Sequence, residues 1–450
     1  RYYSSFLPTL IGGTFLKRLA AVIALVFSLS LLIQTPILFF SPTVSAEPLV
    51  DPPTITGEAA YLIDVETGQT LYSKNGDLSL APASTTKIMT GLLAIELGNL
   101  QDTVTASETM LDYNIVYGTR IYLEPGEKLT LDDMLYALLL NSANDAAVAI
   151  AEHIGGDIQT FVDLMNQKAA QLGLKNTTFK NPSGLNEEGH LTTAHDLARL
   201  ALAAYGNAKY REYIKTKSHV IDREKTEGVP IEMFNENKLL WRDERVTGMK
   251  TGYTSVAKNC LVVSAKQDGR ELIGVILKSP GREIYTDMQA LLDYGFEQFE
   301  NVLYKGGGET VGEIEVQGEV VNLILSEPLW LTQNQDNTLP QTRITIVPTQ
   351  ETLTEVTAGQ VLSYLEVWEG EDCLKRIPLT ADRTVVAEKP SEGVKSFGLY
   401  TGLGMIFSGV ILYGAVQQKK HTQRRRARAL MRKERQARNA EYYKIKNNDL

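Results

Sequence analysis

The stretch LAPASTTKIMTGLLAIELG, from Leu80 to Gly98, places a serine three residues before a lysine at the start of an apolar segment. The apolar residues that come next recur at the spacing of one helical face: Ile88, Leu92 and Ile95. Because side chains three positions apart share a helical face, Ser84 and Lys87 can meet. A serine hydroxyl needs a base, and lysine serves when burial or a nearby cation lowers its pKa from about 10.4. An ordinary helix start with an exposed lysine gives the same spacing.

Two further short motifs, each weak by itself, occur later along the chain. Ser142 and Asn144 lie between the apolar segments LYALLL and AAVAIAEHIGG, where a hydroxyl and an amide are placed to line a cleft. A simple interhelical turn, capped by Asn or Asp, is the alternative. Lys250, Thr251 and Gly252 lie in a segment with strand character. A cation, a hydroxyl and a glycine that permits close backbone approach suit an anionic, extended substrate.

Composition and charge exclude several classes of function. The 450 residues are 43% hydrophobic and 22% charged, which is typical of a globular chain of two or three domains. Twelve basic groups lie in residues 417–450 and three in residues 1–46, which leaves 30 basic and 51 acidic groups between these ends. So acidic a body is a poor ligand for polyanions, and we expect no nucleic-acid partner. Cys260 and Cys373 match no metal or disulfide spacing, and we expect no metal and no cofactor.

The pattern of residues 47–304 predicts one α+β domain. The signals are two strands, AAYLIDV and TLYS, around a turn at 66–69, helix caps at Thr130 and Thr193, an amphipathic helix from Phe161 to Leu172, a hairpin turn at Gln267–Gly269, and a helix over about 283–300. Because strands lie at both ends with helices between them, we expect a sheet closed by N- and C-terminal strands. Three glycines at 306–308 mark a composition break at the start of a second region, residues 305–390, whose short period-two segments predict a small all-β domain.

Both ends of the chain carry membrane signals. A basic pair, Lys17 and Arg18, precedes a long apolar stretch and a small-x-small site that ends at Ala46, which predicts a cleaved secretory signal over residues 1–46. An uncleaved membrane anchor is the alternative. Near the other end, Phe397–Val416 is an uncharged stretch of twenty residues, long enough to cross a bilayer. The basic tail at 417–450 predicts a cytoplasmic end, with the body of the protein outside a bacterial cell membrane.

In this order, the S-x-x-K, S-x-N and K-T-G motifs are specific, and the chain resembles the serine penicillin-recognising enzymes. It resembles most closely the low-molecular-weight penicillin-binding proteins that are D-alanyl-D-alanine carboxypeptidases. The flanking segments agree: PASTTKIMT, LEPGEKLTLDDMLYALLLNSANDAA, LGLKNTTFKNPSGL, GHLTTAHDLARLA and GMKTGYT. The resemblance implies a β-lactamase/transpeptidase-like fold over about 55–300, an antiparallel sheet with helices on both sides. The small all-β domain resembles the C-terminal domain of the same family, and the C-terminal transmembrane helix would come after it.

The resemblance also implies roles for the matched positions of the first two motifs. Ser84 would attack the carbonyl of a D-Ala-D-Ala bond, and Lys87 would take the proton of Ser84. Ser142 and Asn144 would line the cleft, with Ser142 helping proton transfer to the leaving amine. Lys250 would lower the pKa of Lys87 because two like charges repel.

The third motif would bind the substrate. Lys250, Thr251 and Gly252 would hold the terminal carboxylate, and the backbone N–H groups of Ser84 and Tyr253 would form the oxyanion hole. Water would then hydrolyse the acyl-enzyme, without a metal. The partners implied are peptidoglycan stem peptides ending in D-Ala-D-Ala, β-lactams as covalent inhibitors, and membrane lipid around the C-terminal span. The process implied is peptidoglycan synthesis and maintenance of cell shape.

Three other functions fit parts of this pattern. A DD-endopeptidase would use the same site on cross-linked peptides. A β-lactam sensor would be acylated once and signal through the basic tail, although all the catalytic positions are intact here. A class A β-lactamase has S-D-N in place of S-x-N and a separate glutamate, whereas position 143 here is alanine and no E-x-x-L-N occurs. Release of D-Ala from a D-Ala-D-Ala peptide separates the carboxypeptidase from all three.

Overall fold

The computed structural model of the protein describes residues 51–223, 228–335, 342–350 and 353–386. The predicted signal sequence at 1–46, the predicted span Phe397–Val416 and the basic tail at 417–450 lie outside the described residues. Within the described part of the chain, no helix is long and apolar enough to span a bilayer.

One antiparallel sheet forms the centre of the first domain. The strands of this domain are Ala59–Asp64 (β1), Thr70–Lys74 (β2), Thr103–Thr105 (β3), Lys128–Thr130 (β4), Ser218–Val220 (β5), Glu232–Phe234 (β6), Val246–Thr254 (β7), Lys258–Gln267 (β8) and Arg270–Ser279 (β9). The central sheet has the order β2-β1-β9-β8-β7, while β3 pairs with β4 and β5 with β6. Because β1 pairs with β9, the sheet is closed by N- and C-terminal strands, as the sequence predicts.

Helices cover both faces of the central sheet. They are Lys87–Leu97 (α1), Leu131–Leu139 (α2), Asn144–Gly155 (α3), Ile158–Gln171 (α4), Ala194–Gly206 (α5), Ala208–Lys215 (α6), Leu239–Arg242 (α7) and Ile284–Gln298 (α8). On β1, Tyr61 and Ile63 join the larger apolar core with α1–α6, while Ala60 and Leu62 join a second core with α7 and α8. Successive strand residues point to opposite faces. A strand buried on both faces therefore needs a continuous apolar run such as AAYLI.

The predicted turn and cap residues lie where the sequence places them. Asp268 and Gly269 join β8 to β9 with φ of 50° and 86°, as a two-residue type I′ hairpin requires. Thr130 and Thr193 are the N-caps of α2 and α5, and each side chain accepts a hydrogen bond from the backbone N–H three residues later. These local predictions are confirmed.

The second region is built from strands, as predicted, although the first of them begins six residues before the predicted boundary at residue 305. These are Phe299–Lys305 (β10), Thr310–Val316 (β11), Glu319–Leu325 (β12), Leu329–Asn334 (β13), Thr342–Pro348 (β14), Val361–Glu369 (β15) and Asp372–Ala381 (β16). Five of them form a sheet in the order β11-β12-β16-β15-β14, and β10 pairs with β13. Their inward side chains form a separate apolar core that includes Val321, Leu323 and Leu365.

Buried polar contacts join the two regions. Thr67 and Gln69, in the turn between β1 and β2, meet Thr332 of β13, and all three are buried. The hydroxyls of Thr67 and Thr332 lie 2.7 Å apart, and Thr332 N donates to Gln69 Oε1 at 2.6 Å. Because a buried polar group without its partner costs about 1–3 kcal/mol, these contacts fix one region against the other.

Candidate active site

Ser84 lies in a 3₁₀ turn, Ala83–Thr86, and α1 begins directly afterwards at Lys87. In a 3₁₀ winding, side chains at positions i and i+3 eclipse each other. The Ser84 Oγ and the Lys87 Nζ therefore meet at 3.0 Å. The hydroxyl is partly accessible, while the lysine is fully buried. The S-x-x-K spacing thus presents a partly accessible serine hydroxyl with a buried lysine amine beside it.

Three oxygen atoms surround the amine of Lys87. Besides Ser84 Oγ, its Nζ donates to Asn144 Oδ1 at 2.6 Å and to the backbone carbonyl of Ser183 at 2.8 Å. Burial lowers the pKa of Lys87 well below its usual range, and the positive charge of Lys250 lowers this pKa further. A lysine with a lowered pKa is neutral in a larger fraction of molecules near neutral pH. It can then accept a proton from the adjacent hydroxyl.

Asn144 is the first residue of α3 and is held from two sides. Its backbone N–H donates to Thr119 O at 2.8 Å, and its Nδ2 donates to Tyr117 O. Because the amide nitrogen is used in this way, the amide oxygen must face Lys87. The loop before β4 thus sets the orientation of the S-x-N asparagine.

Ser142 lies in the break between α2 and α3, where it is buried and has φ of 58°. A positive φ is uncommon for serine and marks a tight turn. Among the described residues, the hydrogen-bond partners of Lys87 are Ser84, Asn144 and Ser183, and Ser142 is not one of them. The structure therefore joins Ser84, Lys87 and Asn144 by hydrogen bonds. Ser142 lies in the turn directly before Asn144 and makes no hydrogen bond with Lys87.

The K-T-G motif lies in β7, at the edge of the central sheet and next to the turn that holds Ser84. A Cβ added at Gly252 would lie 2.9 Å from Ser84 N and 3.1 Å from Ala83 Cβ. Only glycine lets the strand approach the serine turn this closely. Tyr253 comes next, and its side chain is 64% exposed.

Lys250 is buried, and burial lowers its pKa, whereas the carboxylate of Glu236 opposes this effect. The Lys250 Nζ lies 4.0 Å from Glu236 Oε2, and Thr251 Oγ1 donates to the same oxygen at 3.3 Å. The cation and the hydroxyl of the motif thus both lie within 4.0 Å of one carboxylate oxygen. A carboxylate is the group that such a pair recognises.

Two contributors to this site are not among the residues predicted from the sequence. Ser183 belongs to the loop NPSGL, and its carbonyl reaches Lys87 from a distance of 96 positions. The next residue, Gly184, has φ of 84°, and a Cβ there would lie 1.8 Å from Ala83 O. Glu236 belongs to the loop before α7 and carries no motif signal. A backbone carbonyl has no sequence signature, and a lone glutamate looks like an ordinary surface residue.

A buried histidine makes a hydrogen bond with Thr86, in the turn that holds Ser84. His190 Nε2 lies 3.0 Å from Thr86 Oγ1, and Lys180 N donates to His190 Nδ1 at 3.4 Å. Because Nδ1 accepts, Nε2 carries the proton and donates to the threonine. Burial lowers the pKa of His190 to about 4, which leaves the ring neutral near neutral pH. Among the described residues, no group of three or more His, Cys, Asp or Glu side chains is arranged to hold a metal ion.

Comparisons with known proteins agree on one family. The sequence profile of the D-alanyl-D-alanine carboxypeptidases, peptidase S11, matches residues 46–281. The chain is 36% identical over 334 residues to D-alanyl-D-alanine carboxypeptidase DacF of Bacillus subtilis. The aligned region covers 72% of this chain and 84% of that relative. It is 35% identical over 274 residues to DacC of Escherichia coli, with 58% and 67% covered.

Solved structures give the same result. Penicillin binding protein 5 from Haemophilus influenzae is similar with a TM-score of 0.61 and 27% identity, over 75% of this chain and 99% of that one. The Streptomyces K15 DD-transpeptidase is similar with a TM-score of 0.51 and 33% identity, over 55% and 100%. The first domain therefore has the fold of the penicillin-recognising transpeptidases. By its sequence and its fold, the chain belongs to the peptidase S11 family of D-alanyl-D-alanine carboxypeptidases.

Proposed function

We propose that Ser84 and Lys87 carry out the reaction of this family. The protein is a serine-type D-Ala-D-Ala carboxypeptidase, which removes the terminal D-alanine from peptidoglycan stem peptides through an acyl-enzyme. The observation that supports these two residues best is the position of the Lys87 Nζ, 3.0 Å from Ser84 Oγ and shielded from solvent. No other base lies against that hydroxyl among the described residues.

The contacts of Lys87 support a path for the proton. A neutral amine has two N–H groups and one lone pair. If the N–H groups donate to Asn144 Oδ1 and Ser183 O, the lone pair faces Ser84 Oγ. The amine then takes the hydroxyl proton as the oxygen attacks the peptide carbonyl. The C–N bond to the last D-alanine breaks, and the leaving amine needs a proton, which Ser142 would help to deliver from Lys87.

The K-T-G motif would bind the end of the substrate. Lys250 and Thr251 would hold the terminal carboxylate, since a buried ammonium and a hydroxyl both lie within 4.0 Å of one carboxylate oxygen, Glu236 Oε2. Close approach at Gly252 would bring the backbone N–H groups of Ser84 and Tyr253 to the developing oxyanion. The loss of one such donor typically costs about a hundred-fold in rate. Water then hydrolyses the acyl-enzyme.

A labelled penicillin tests the nucleophile. We expect mass spectrometry to find one covalent adduct on Ser84, because this hydroxyl has a base within hydrogen-bond distance. Ser84→Ala should abolish the adduct and leave the circular dichroism spectrum and the melting temperature near those of the wild type. An adduct on Ser142, or labelling that persists in Ser84→Ala, would refute the assignment. Release of D-Ala from a D-Ala-D-Ala peptide, blocked by the same penicillin, measures turnover.

We also propose a membrane placement for the chain. The basic and apolar start of the sequence supports export, with a signal sequence over residues 1–46. The uncharged stretch Phe397–Val416 supports a transmembrane helix, and the basic tail after it supports a cytoplasmic C-terminus in contact with anionic lipid. The catalytic domain would then face the peptidoglycan from the outer side of a bacterial cell membrane.

A further inference from the structure

A carboxylate of the protein itself occupies the position that the K-T-G motif offers to a substrate. Glu236 Oε2 accepts a hydrogen bond from Thr251 Oγ1 at 3.3 Å and lies 4.0 Å from Lys250 Nζ. The side chain of Glu236 is 43% exposed, whereas that of Lys250 is 1% exposed. The glutamate therefore lies on the solvent-exposed side of the cation.

The backbone on both sides of Glu236 is fixed. Glu236 N donates to Leu140 O at 3.2 Å, and Asn235 N donates to Lys217 O at 2.8 Å. On the other side, the amide of Asn237 donates from Nδ2 to Gly248 O at 3.0 Å. The Cα of Glu236 is thus held next to β7, while its half-exposed side chain has room to change rotamer. A carboxylate tethered in this way has a high local concentration at the motif.

The geometry points to Glu236 as a specificity-determining residue that competes with the terminal carboxylate of the substrate for Lys250 and Thr251. This inference rests on the proposed function, in which these two residues hold that carboxylate. The competition lowers the affinity most for peptide ends that carry a free carboxylate, because the charge of Glu236 repels these ends, and it affects peptide ends without that charge less. Glu236 thereby lowers the ratio of kcat/KM for free acids to kcat/KM for amides.

The carboxylates of Glu236 and of the substrate cannot both accept a hydrogen bond from the motif at the same time. The Thr251 hydroxyl has a single proton, which Glu236 accepts in the structure, and it cannot be donated to a second carboxylate at the same time. A substrate carboxylate at the same place would also lie against a like charge, which is unfavourable. The substrate must therefore displace the Glu236 side chain before it makes both contacts.

Glu236→Gln tests the competition with two substrates that differ only at the last group. These are a peptide ending in D-Ala-D-Ala with a free carboxylate and the same peptide ending in a C-terminal amide. Because the competing charge is half-exposed, we expect the variant to raise kcat/KM for the free acid by roughly two- to fivefold, mainly through a lower KM. The amide should change little, so that the ratio of acid to amide rises.

Glu232→Gln, in strand β6, is the matched control because it removes one exposed negative charge from the same stretch of chain without touching the motif. The ratio should stay at the wild-type value in this control. An effect of Glu236 on the pKa of Lys87 changes both substrates together and leaves the ratio constant. An unchanged or lower ratio in Glu236→Gln, with an active wild type, would overturn the competition alone. A wild type that cleaves neither peptide and takes no penicillin would overturn the proposed function and this inference with it.

Discussion

At the scale of single residues, Lys250 has two separable effects that one substitution can measure. We expect Lys250→Ala to lower kcat/KM for D-Ala-D-Ala peptides by about a hundred-fold or more, because the substrate carboxylate loses a buried cation. Thr251→Ala should be milder, roughly fivefold, since one neutral hydrogen bond contributes about 1 kcal/mol. Steady-state kinetics on one peptide compares both variants with the wild type. A value of kcat/KM near that of the wild type in Lys250→Ala would count against the carboxylate assignment.

The second effect of Lys250 appears in the pH dependence. Its positive charge helps to lower the pKa of Lys87, so its removal raises that pKa. The base works only when it is neutral, and activity falls as the pH drops through its pKa. The acid limb of the kcat/KM profile should therefore move to higher pH in Lys250→Ala. A limb that stays in place would show that Lys250 acts on the substrate alone.

His190 makes the fold sensitive to acid. Its pKa is about 4 in the folded protein and about 6.5 in an unfolded chain, so the unfolded state binds the extra proton first as the pH falls. Stability is full above pH 6.5 and is lost progressively down to about pH 4, by roughly 3 kcal/mol. Urea unfolding at pH 7 and at pH 4.5 should show a smaller acid loss in His190→Gln than in the wild type. Equal losses would exclude His190 as the source.

At the scale of elements, the geometry of the active site depends on how closely strand β7 lies against the turn that holds Ser84. Gly252→Ala would place a Cβ 2.9 Å from Ser84 N, which pushes the strand away from the nucleophile. We expect penicillin acylation to slow by about a hundred-fold or more, because an oxyanion donor is displaced. Gly206→Ala in α5 is the control, since a Cβ there meets nothing within 4 Å. Acylation at the wild-type rate in Gly252→Ala would mean that the strand absorbs the shift.

Elements were predictable where a local rule dictates them. The caps at Thr130 and Thr193, the Asp268-Gly269 turn and the apolar strands result from backbone chemistry within a few residues, and the structure contains them. The pairing of β10 with β13 was not predictable, because it joins segments about thirty positions apart and depends on tertiary packing. Within the central sheet, only the pairing of N-terminal with C-terminal strands was predictable, from the general tendency of terminal strands to close an α+β domain.

The contacts in the active site were likewise predictable only where they are local in sequence. The spacing of Ser84 and Lys87 predicts their contact, since only one turn separates them. The contacts of Lys87 with Asn144 and with Ser183 cross 57 and 96 positions, and no local pattern encodes them. Glu236 shows this limit most clearly, because its significance comes only from lying beside Lys250 in the folded chain.

At the scale of the whole molecule, the β-rich region is fixed to the catalytic domain by buried contacts more than by surface charges. Ion pairs such as Lys375–Glu66 and Lys175–Glu371 cross between the two, but exposed pairs contribute only about 0–1 kcal/mol each. The contact of Thr332 with Gln69 is buried, and the loss of one partner would cost about 1–3 kcal/mol. These buried contacts therefore hold the β-rich region against the catalytic domain.

The membrane placement gives the last prediction. Residues 47–396 should lie outside the membrane and residues 417–450 inside, because the predicted N-terminal signal would export the chain after it and Phe397–Val416 is long enough to stop transfer. Four arginines just after the span, Arg424, Arg425, Arg426 and Arg428, lie where basic residues hold a segment in the cytoplasm. Each basic residue near anionic lipid adds about 1 kcal/mol of attraction.

Protease treatment of intact protoplasts, with one tag at each end of the mature chain, tests this placement. The tag at the N-terminal end should be digested, and a tag after Leu450 should survive until the membrane is opened with detergent. Loss of both tags from intact protoplasts would sink the transmembrane proposal and favour a C-terminal helix that lies on the outer surface. The catalytic assignment is independent of this result, because the active site would face the peptidoglycan in either arrangement.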